Sequence, residues 1–411
     1  MGNRQRYKLT EIGEIPEDWE LASLGKIATI KSGGTPSTSV REYWENGTVA
    51  WINSGEVQDC PVTSPTRFIT EQGLSNSAAK VFPVGTVLIA LTGATTGKVG
   101  LLTFESSTNQ SVTGIFPSKK HDSKFLYYFL MHARRTILRQ SVGSAQPHIN
   151  QRIVEQLFLP LPHIAEQEKI GSIIWTVDEA IQKTDEIIAK TQQLKKGLMQ
   201  QLLTKGIGHT KFKQTEIGEI PEEWSIIRLE EVGKWHSGGT PARSKKEYWG
   251  GQIPWISPKD MKKTKIDSGF QSITEIGLKA GSWLAPARSI LVVVRGLILA
   301  KDVPVATKLV PVAFNQDIKA LVCTSEFEPE FVLYTLMNSK ARLMNLTTMS
   351  AHGTKRLPFE ELVEWKIPYP PIDEQKMIAS VLESVEGKIA FEIAKRSSLL
   401  DLKRGLMQVL L

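Results

Sequence analysis

Apolar residues fall into two different rhythms along this chain. In the stretch after Pro160-Leu-Pro162, Ile170, Ile174, Val177, Ile181, Thr184, Ile188, Thr191, Leu198 and Leu202 recur at steps of three, four or seven, with charges between them. After Pro368-Tyr-Pro370-Pro371, Leu382, Val385, Ile389, Ile393, Leu400, Met407 and Leu410 do the same. This spacing predicts a long helix over 164–206, stopped by Gly206-Ile-Gly208, and a second over 372–411. Ahead of each helix the texture changes to short apolar runs bounded by Gly and Pro, such as Thr86 to Leu91 and Ile290 to Val294. These read as buried strands of mixed α/β lobes over 1–163 and 207–371. A helix of this length is roughly 60 Å long. It cannot bury its apolar stripe on its own lobe, so the two helices are expected to pair antiparallel as a coiled-coil spacer between the lobes. Gly197 and Gly405 occupy equivalent places inside them and point to a close helix approach.

The two rhythms repeat because the sequence contains itself twice. Thr10-Glu-Ile-Gly-Glu-Ile-Pro-Glu-Asp-Trp19 returns 205 residues later as Thr215-Glu-Ile-Gly-Glu-Ile-Pro-Glu-Glu-Trp224. Ser32-Gly-Gly-Thr-Pro36 returns as Ser237-Gly-Gly-Thr-Pro241, Glu42-Tyr-Trp44 as Glu247-Tyr-Trp249, Trp51-Ile52 as Trp255-Ile256, and Asn109-Gln110 as Asn315-Gln316. The helix endings match too, Gly197-Leu-Met-Gln200 with Gly405-Leu-Met-Gln408. One unit of about 205 residues is therefore duplicated in tandem, with an internal pseudo-two-fold relation.

Composition narrows the class. At 411 residues with 41% hydrophobic and 23% charged side chains, the chain reads as an ordinary globular protein of two or three domains. Two cysteines exclude a disulfide framework and fit a reducing cytoplasm. Apolar runs fall short of a membrane span and the first residues do not resemble a signal peptide. The net charge of +7 is unevenly placed: residues 1–163 hold 16 Lys and Arg against 13 Asp and Glu, residues 211–371 hold 22 against 18, and both helical stretches are neutral at 6 against 6. The excess lies on the lobes, as expected of surfaces that meet a polyanion.

Catalytic signatures are missing. Gly93-Ala-Thr-Thr-Gly-Lys98 approaches a phosphate loop, but Thr92 and Val99 stand where a Walker A motif needs Gly and Ser or Thr. There is no His-Glu-x-x-His pair, no Gly-x-Ser-x-Gly elbow, and no Asn/Asp-Pro-Pro-Tyr/Phe run. The Ser-Gly-Gly-Thr-Pro repeats read as tight turns, Gly taking positive φ and Pro fixing the exit. Trp19, Trp44 and Trp51, paired with Trp224, Trp249 and Trp255, read as a shared core. Positions that differ between the copies are where differing specificity should reside.

The tandem openings, the Ser-Gly-Gly-Thr-Pro turns, the Gly93 to Gly100 loop, the junctions at Pro160 to Gln167 and Pro368 to Gln375, and the Gly-Leu-Met-Gln endings together resemble the specificity subunit of type I restriction-modification systems. The resemblance spans the full chain. It implies two target recognition domains reading double-stranded DNA, and spacer helices that dock two modification (methyltransferase) subunits, with restriction subunits in the full complex. It implies no catalytic residues and no cofactor on this chain, with S-adenosylmethionine, ATP and Mg carried by the partners. An asymmetric, bipartite site follows from two unlike lobes. The alternative is a two-lobed DNA-binding regulator without methyltransferase partners, although no helix-turn-helix is recognisable. Candidate DNA contacts are polar or basic residues near turn-like segments. They are Lys98, Gln146, His148 and Asn150 in the first lobe, and Arg243, Lys245, Lys259, Lys262, Lys263, His352, Lys355 and Arg356 in the second.

Overall fold

The structure, a computed structural model, describes residues 6–139, 148–266, 269, 271–349 and 353–411. Four helices organise it: α1 (Ser123–Arg139), α2 (Ile164–Lys205), α3 (Pro329–Asn338) and α4 (Ile372–Leu410). The three-four spacing of apolar positions thus becomes helices of 42 and 39 residues. The chain divides into two compact units, Met1–Asp185 with Ala394–Leu411, and Glu186–Ile393, so the division runs through both long helices.

Each unit builds its lobe on the same plan. In the first, a five-stranded sheet runs in the order Ile30–Ser32, Val112–Ile115, Val87–Ala90, Val99–Leu102, Cys60–Val62. A four-stranded sheet follows the order Arg67–Ile69, Val49–Ile52, Ser106–Thr108, Val81–Phe82. Val87–Ala90 and Val112–Ile115 are buried at every residue, which is why the first reads as an unbroken apolar run and not as alternation. The second lobe repeats both sheets, Gly233–Ser237, Ile318–Cys323, Ile290–Val293, Val305–Thr307 and Gln271–Ile273, Trp249–Ile256, Val312–Phe314, Leu284–Ala285. Where the first lobe has the strand Cys60–Val62, the lysine-rich segment of the second keeps a single parallel bridge from Lys265 to Thr307.

The proline junctions are fixed by one buried glutamine each. Gln167 accepts from the Asp122 amide at 3.0 Å and donates to the Pro162 carbonyl at 2.9 Å. Gln375 repeats this with the Glu328 amide at 3.0 Å and the Pro370 carbonyl at 2.9 Å. Backbone groups that the prolines leave unpaired are thereby satisfied as the lobe passes into the helix.

A second pair of contacts ties each lobe to both long helices. In the first unit the Tyr128 hydroxyl of α1 donates to Asp178 of α2 at 2.7 Å, and Lys403 of α4 donates to the same carboxylate at 2.7 Å. In the second, Tyr334 of α3 donates to Glu386 of α4 at 2.7 Å, and Lys195 of α2 donates to it at 2.9 Å. Both ammonium groups also sit over the tyrosine rings, at 5.3 and 5.5 Å from the centroids. Burial, and then the adjoining carboxylate, push both tyrosines well above their usual range, so each hydroxyl stays a donor. Asp185 pairs with Arg396 as Asp178 does with Lys403, so in the first unit the partner number falls as the α2 number rises, and the segments are antiparallel.

Three expectations need correction. The glycines of the two Ser-Gly-Gly-Thr-Pro turns do not adopt positive φ. They are required by close approach: a Cβ on Gly34 would overlap the Ala78 carbonyl, and one on Gly239 the Gly281 carbonyl. Gly197 and Gly405, by contrast, would meet nothing within 4 Å if given a Cβ, so helix proximity does not explain them. Ile393, counted into the apolar stripe of α4, is half exposed. Among the described residues no helix is long and apolar enough to cross a membrane.

Candidate nucleic-acid interface

In the second lobe the Ser237–Pro241 turn, the end of strand Trp249–Ile256, the lysine-rich segment and the turn after Ile290–Val293 enclose a cleft of about 1270 Å³. Arg243, Lys259, Lys262 and Arg295 line it, together with Gln316 and the carboxylates of Asp260, Asp302 and Asp317. Trp255 donates its indole N–H to the Gly239 carbonyl at 3.0 Å, holding the turn against the strand. Trp249 stands edge-on to Trp255 at 5.2 Å, and the Arg243 guanidinium lies over both rings, at 4.9 and 5.6 Å. Gln271 accepts from the two terminal nitrogens of Arg243 at 3.4 Å each.

Beyond the cleft lip, Arg295 bridges to Arg356 through the backbone, and the Gly296 amide donates to the Lys355 carbonyl at 3.1 Å. Lys319 joins this group, donating to Ser237 and lying over the Phe359 ring at 4.8 Å. Burial lowers its pKa from the ordinary lysine value, and the positive charges of Arg295 and Arg356 lower it further, against the pull of Glu360. Glu360, which pairs with Arg356 at 3.9 Å, offsets part of this positive charge, and the excess that remains favours an anion from outside the chain. Leu297, at the tip of the same turn, is 78% exposed.

The first lobe shows the same frame with other side chains. Trp51 donates to the Gly34 carbonyl at 3.0 Å, Trp44 stands edge-on to it at 5.1 Å, and a guanidinium again covers both rings, at 4.3 and 5.6 Å. That guanidinium belongs to Arg67, on the strand paired with Trp51. Its counterpart in the second strand pair is Gln271, opposite Trp255. The two lobes thus keep the cation in place while supplying it from different positions. At the position of Lys319 stands Thr113, bonded to Ser32 at 2.8 Å as Lys319 is to Ser237. Ala94 and Thr95 occupy the tip where the second lobe carries Leu297 and Ile298.

Lys98 lies beside this tip and donates to Gln58. The amides of Ile149 and Leu357 donate to Leu91 and Val294 at 3.0 and 2.9 Å, so exposed His148 and Arg356 occupy matching places. Asn150 accepts from the Ile153 amide at 3.0 Å as the N-cap of helix Gln151–Gln156, a role in folding. Arg243, Lys259 and Lys262 share the cleft, and Lys355 and Arg356 border it. Lys245 donates to the Tyr248 hydroxyl at 3.1 Å on the same exposed loop as Arg243. Lys263 follows Lys262 and does not line the cleft. Gln146 and His352 lie outside the described residues. Arg67, Arg295 and Lys319 were not legible as site residues because only strand register brings them to the tryptophans and the turn. Trp44 and Trp249, expected as core, are half-buried and serve as platforms for the arginines. No cluster of three metal-binding side chains occurs among the described residues.

The family model described as the type I restriction modification DNA specificity domain matches this chain twice, over residues 16–193 and 221–400. The MjaVIII type I restriction enzyme specificity subunit of Methanocaldococcus jannaschii is 25% identical over 414 aligned residues, 97% of this chain and 93% of that one. The EcoR124I/EcoR124II specificity subunit of Escherichia coli is 36% identical over 177 residues, 43% of this chain and 42% of its own length. Among solved structures, the S subunit of a type I restriction-modification system from M. genitalium shares the fold, with a TM-score of 0.62 at 16% identity over 95% of this chain and 96% of that one. A chain from a study of type I system assembly and conformational transition matches with a TM-score of 0.57 at 17% identity, covering 98% and 99%.

Proposed function

The chain belongs to the type I restriction-modification DNA specificity family, and on that premise we propose that it reads an asymmetric, two-part site on double-stranded DNA. In this reading it brings two methyltransferase subunits, and in the full complex restriction subunits, to that site. The observation that carries the proposal is the pair of sites just described: one frame of turn, tryptophan pair and guanidinium, rimmed by different side chains in each lobe. Equal frames would seat on the same kind of ligand, and unequal rims would read different bases. Arg295, Arg356 and Lys319 face phosphate or guanine in the second half-site, whereas Thr113 and His148, at the places of Lys319 and Arg356, make the first less basic. Helices of 42 and 39 residues, roughly 60 Å long, exceed one DNA turn in length, which supports half-sites with unread base pairs between them.

The chain itself would be non-catalytic, a soluble cytoplasmic subunit whose partners bring S-adenosylmethionine, ATP and Mg. The long helices are the proposed docking surface for the methyltransferases, their near-equivalent sequences offering two similar patches to two copies of one subunit. Mapping N6-methyladenine genome-wide in cells expressing this chain with its modification subunits tests the reading. A split motif with an unread interval, lost on deletion of this gene, is expected. A continuous motif, or methylation unchanged by the deletion, would refute it. A DNA-binding regulator would instead bind one site tightly without any partner.

A further inference from the structure

A threonine and an exposed glutamine stay the same in both lobes although the rims around them differ. The Thr35 hydroxyl donates to Gln110 Oε1 at 2.5 Å, and the Thr240 hydroxyl donates to Gln316 Oε1 at 2.7 Å. Each pair joins the Ser-Gly-Gly-Thr-Pro turn to the Asn-Gln step across 75 and 76 residues of chain. The backbone sets the geometry. The Gly34 and Gly239 amides each donate at 2.8 Å to the strand just before the Asn-Gln step, at the carbonyls of Thr108 and Phe314. The Asn109 and Asn315 amides donate to Ile52 and Ile256 at 3.0 and 2.9 Å.

Core packing accounts for the buried identities between the copies, but both glutamines are exposed. A surface hydroxyl-amide bond adds little to stability, about 1 kcal/mol at most. What it does is direct the amide. With Oε1 engaged by the threonine, the Nε2 amine is left to donate. The guanidinium over the tryptophan pair is the other shared feature, kept by Arg67 in one lobe and Arg243 in the other. In the second lobe Thr240, Gln316 and Arg243 line one cleft. The donors that both lobes share, an arginine and a glutamine amine, suit an acceptor, and the acceptor common to two different half-sites is the phosphodiester oxygen, which every sequence carries.

We propose that Thr35 with Gln110 and Thr240 with Gln316, each beside its tryptophan-stacked arginine, form one phosphate clamp used identically by both lobes. The differing rim residues are left to read bases. This rests on the reading of the chain as a bipartite DNA recogniser. The clamp fixes the register of each lobe on the backbone, and the tips at Ala94 and Leu297 face the base edges from that fixed position.

The test uses the full complex with modification subunits, measuring DNA affinity by competition with specific and unrelated duplexes, and the methylated motif by sequencing. Gln110→Ala and Gln316→Ala are expected to weaken binding to both duplexes by roughly three- to tenfold each, with the motif unchanged. Gln110→Glu and Gln316→Glu keep an oxygen for the threonine hydroxyl but turn a negative charge toward phosphate, so they should lose more than the alanine variants. Arg243→Gln should lower the slope of log affinity against log salt by about 0.9. Melting of each variant alongside the wild type separates loss of the fold from loss of the clamp. Relaxation of the motif at one position would make the glutamine a base reader and overturn the proposal. Glutamate variants that bind as well as the alanine ones, or an unchanged salt slope, would also overturn it. If the wild-type complex yields no split motif, the failure belongs to the functional reading; if it does and the variants match wild type, only the clamp fails.

Discussion

Replacing Lys195 with Met should destabilise the second unit by about 2 kcal/mol, a value that follows from the surroundings of Glu386. Its carboxylate accepts from Tyr334 at 2.7 Å and from Lys195 at 2.9 Å, with the lysine and glutamate side chains 15% and 25% exposed. Breaking a fully buried ion pair costs about 3–5 kcal/mol, while exposed pairs are worth about 0–1 kcal/mol. A pair at this depth falls between them. The substitution leaves a partly desolvated charge with one neutral donor, and methionine retains most of the packing of the lysine stem. Because the unit spans about 200 residues, the loss corresponds to a fall of about 4–8 °C in its melting midpoint. Denaturant unfolding of the intact chain would measure the free energy, and Glu386→Gln supplies the control. With the charge removed, losing Lys195 should cost at least about 1 kcal/mol less than in the wild type. A Lys195→Met protein within about 0.5 kcal/mol of wild type, or strict additivity in the double variant, would refute the argument. Lys403→Met should behave alike in the first unit, where Asp178 takes the place of Glu386.

Gly197→Ala and Gly405→Ala should each raise stability by about 1 kcal/mol in chemical denaturation, since a Cβ meets nothing within 4 Å at either helical position. Gln375→Leu should cost about 2–5 kcal/mol, because it strips partners from the Glu328 amide and the Pro370 carbonyl at a fully buried junction; an unchanged urea midpoint would count against the junction's role. Burial holds the His121 pKa below its ordinary value of 6.5, so the unfolded chain takes up a proton that the folded one refuses. Stability from this residue is present above pH 6.5 and falls as the pH drops below it, by at most about 1.4 kcal/mol per unit, and His121→Gln should flatten that part of a melting-against-pH curve.

The duplication was legible as segments that return about 205 residues later, and the two long helices and the α/β character of the lobes because each is written in local periodicity. Ile170, Ile174 and Val177 share one helix face by spacing alone, and Val87 to Ala90 read as a doubly buried strand from their unbroken apolar run. Retention of Trp51 and Trp255 correctly marked a core, and the Gln167 and Gln375 junctions are visible as motifs in the sequence. Arg243, Lys259 and Lys262 were named from the sequence, but only tertiary structure brought them into one cleft. Arg67 and Arg243 stand at unrelated places in the two copies, yet strand register in the first lobe and a loop in the second lay each guanidinium over the equivalent tryptophan pair. Thr35 meets Gln110, and Tyr334, Glu386 and Lys195 meet one another, only after sheets and helices have packed. Sequence spacing fixes which residues share a face of one element, through the turn of a helix or the pleat of a strand. Which elements then meet depends on burial shared across the whole lobe, and no local pattern carries that information.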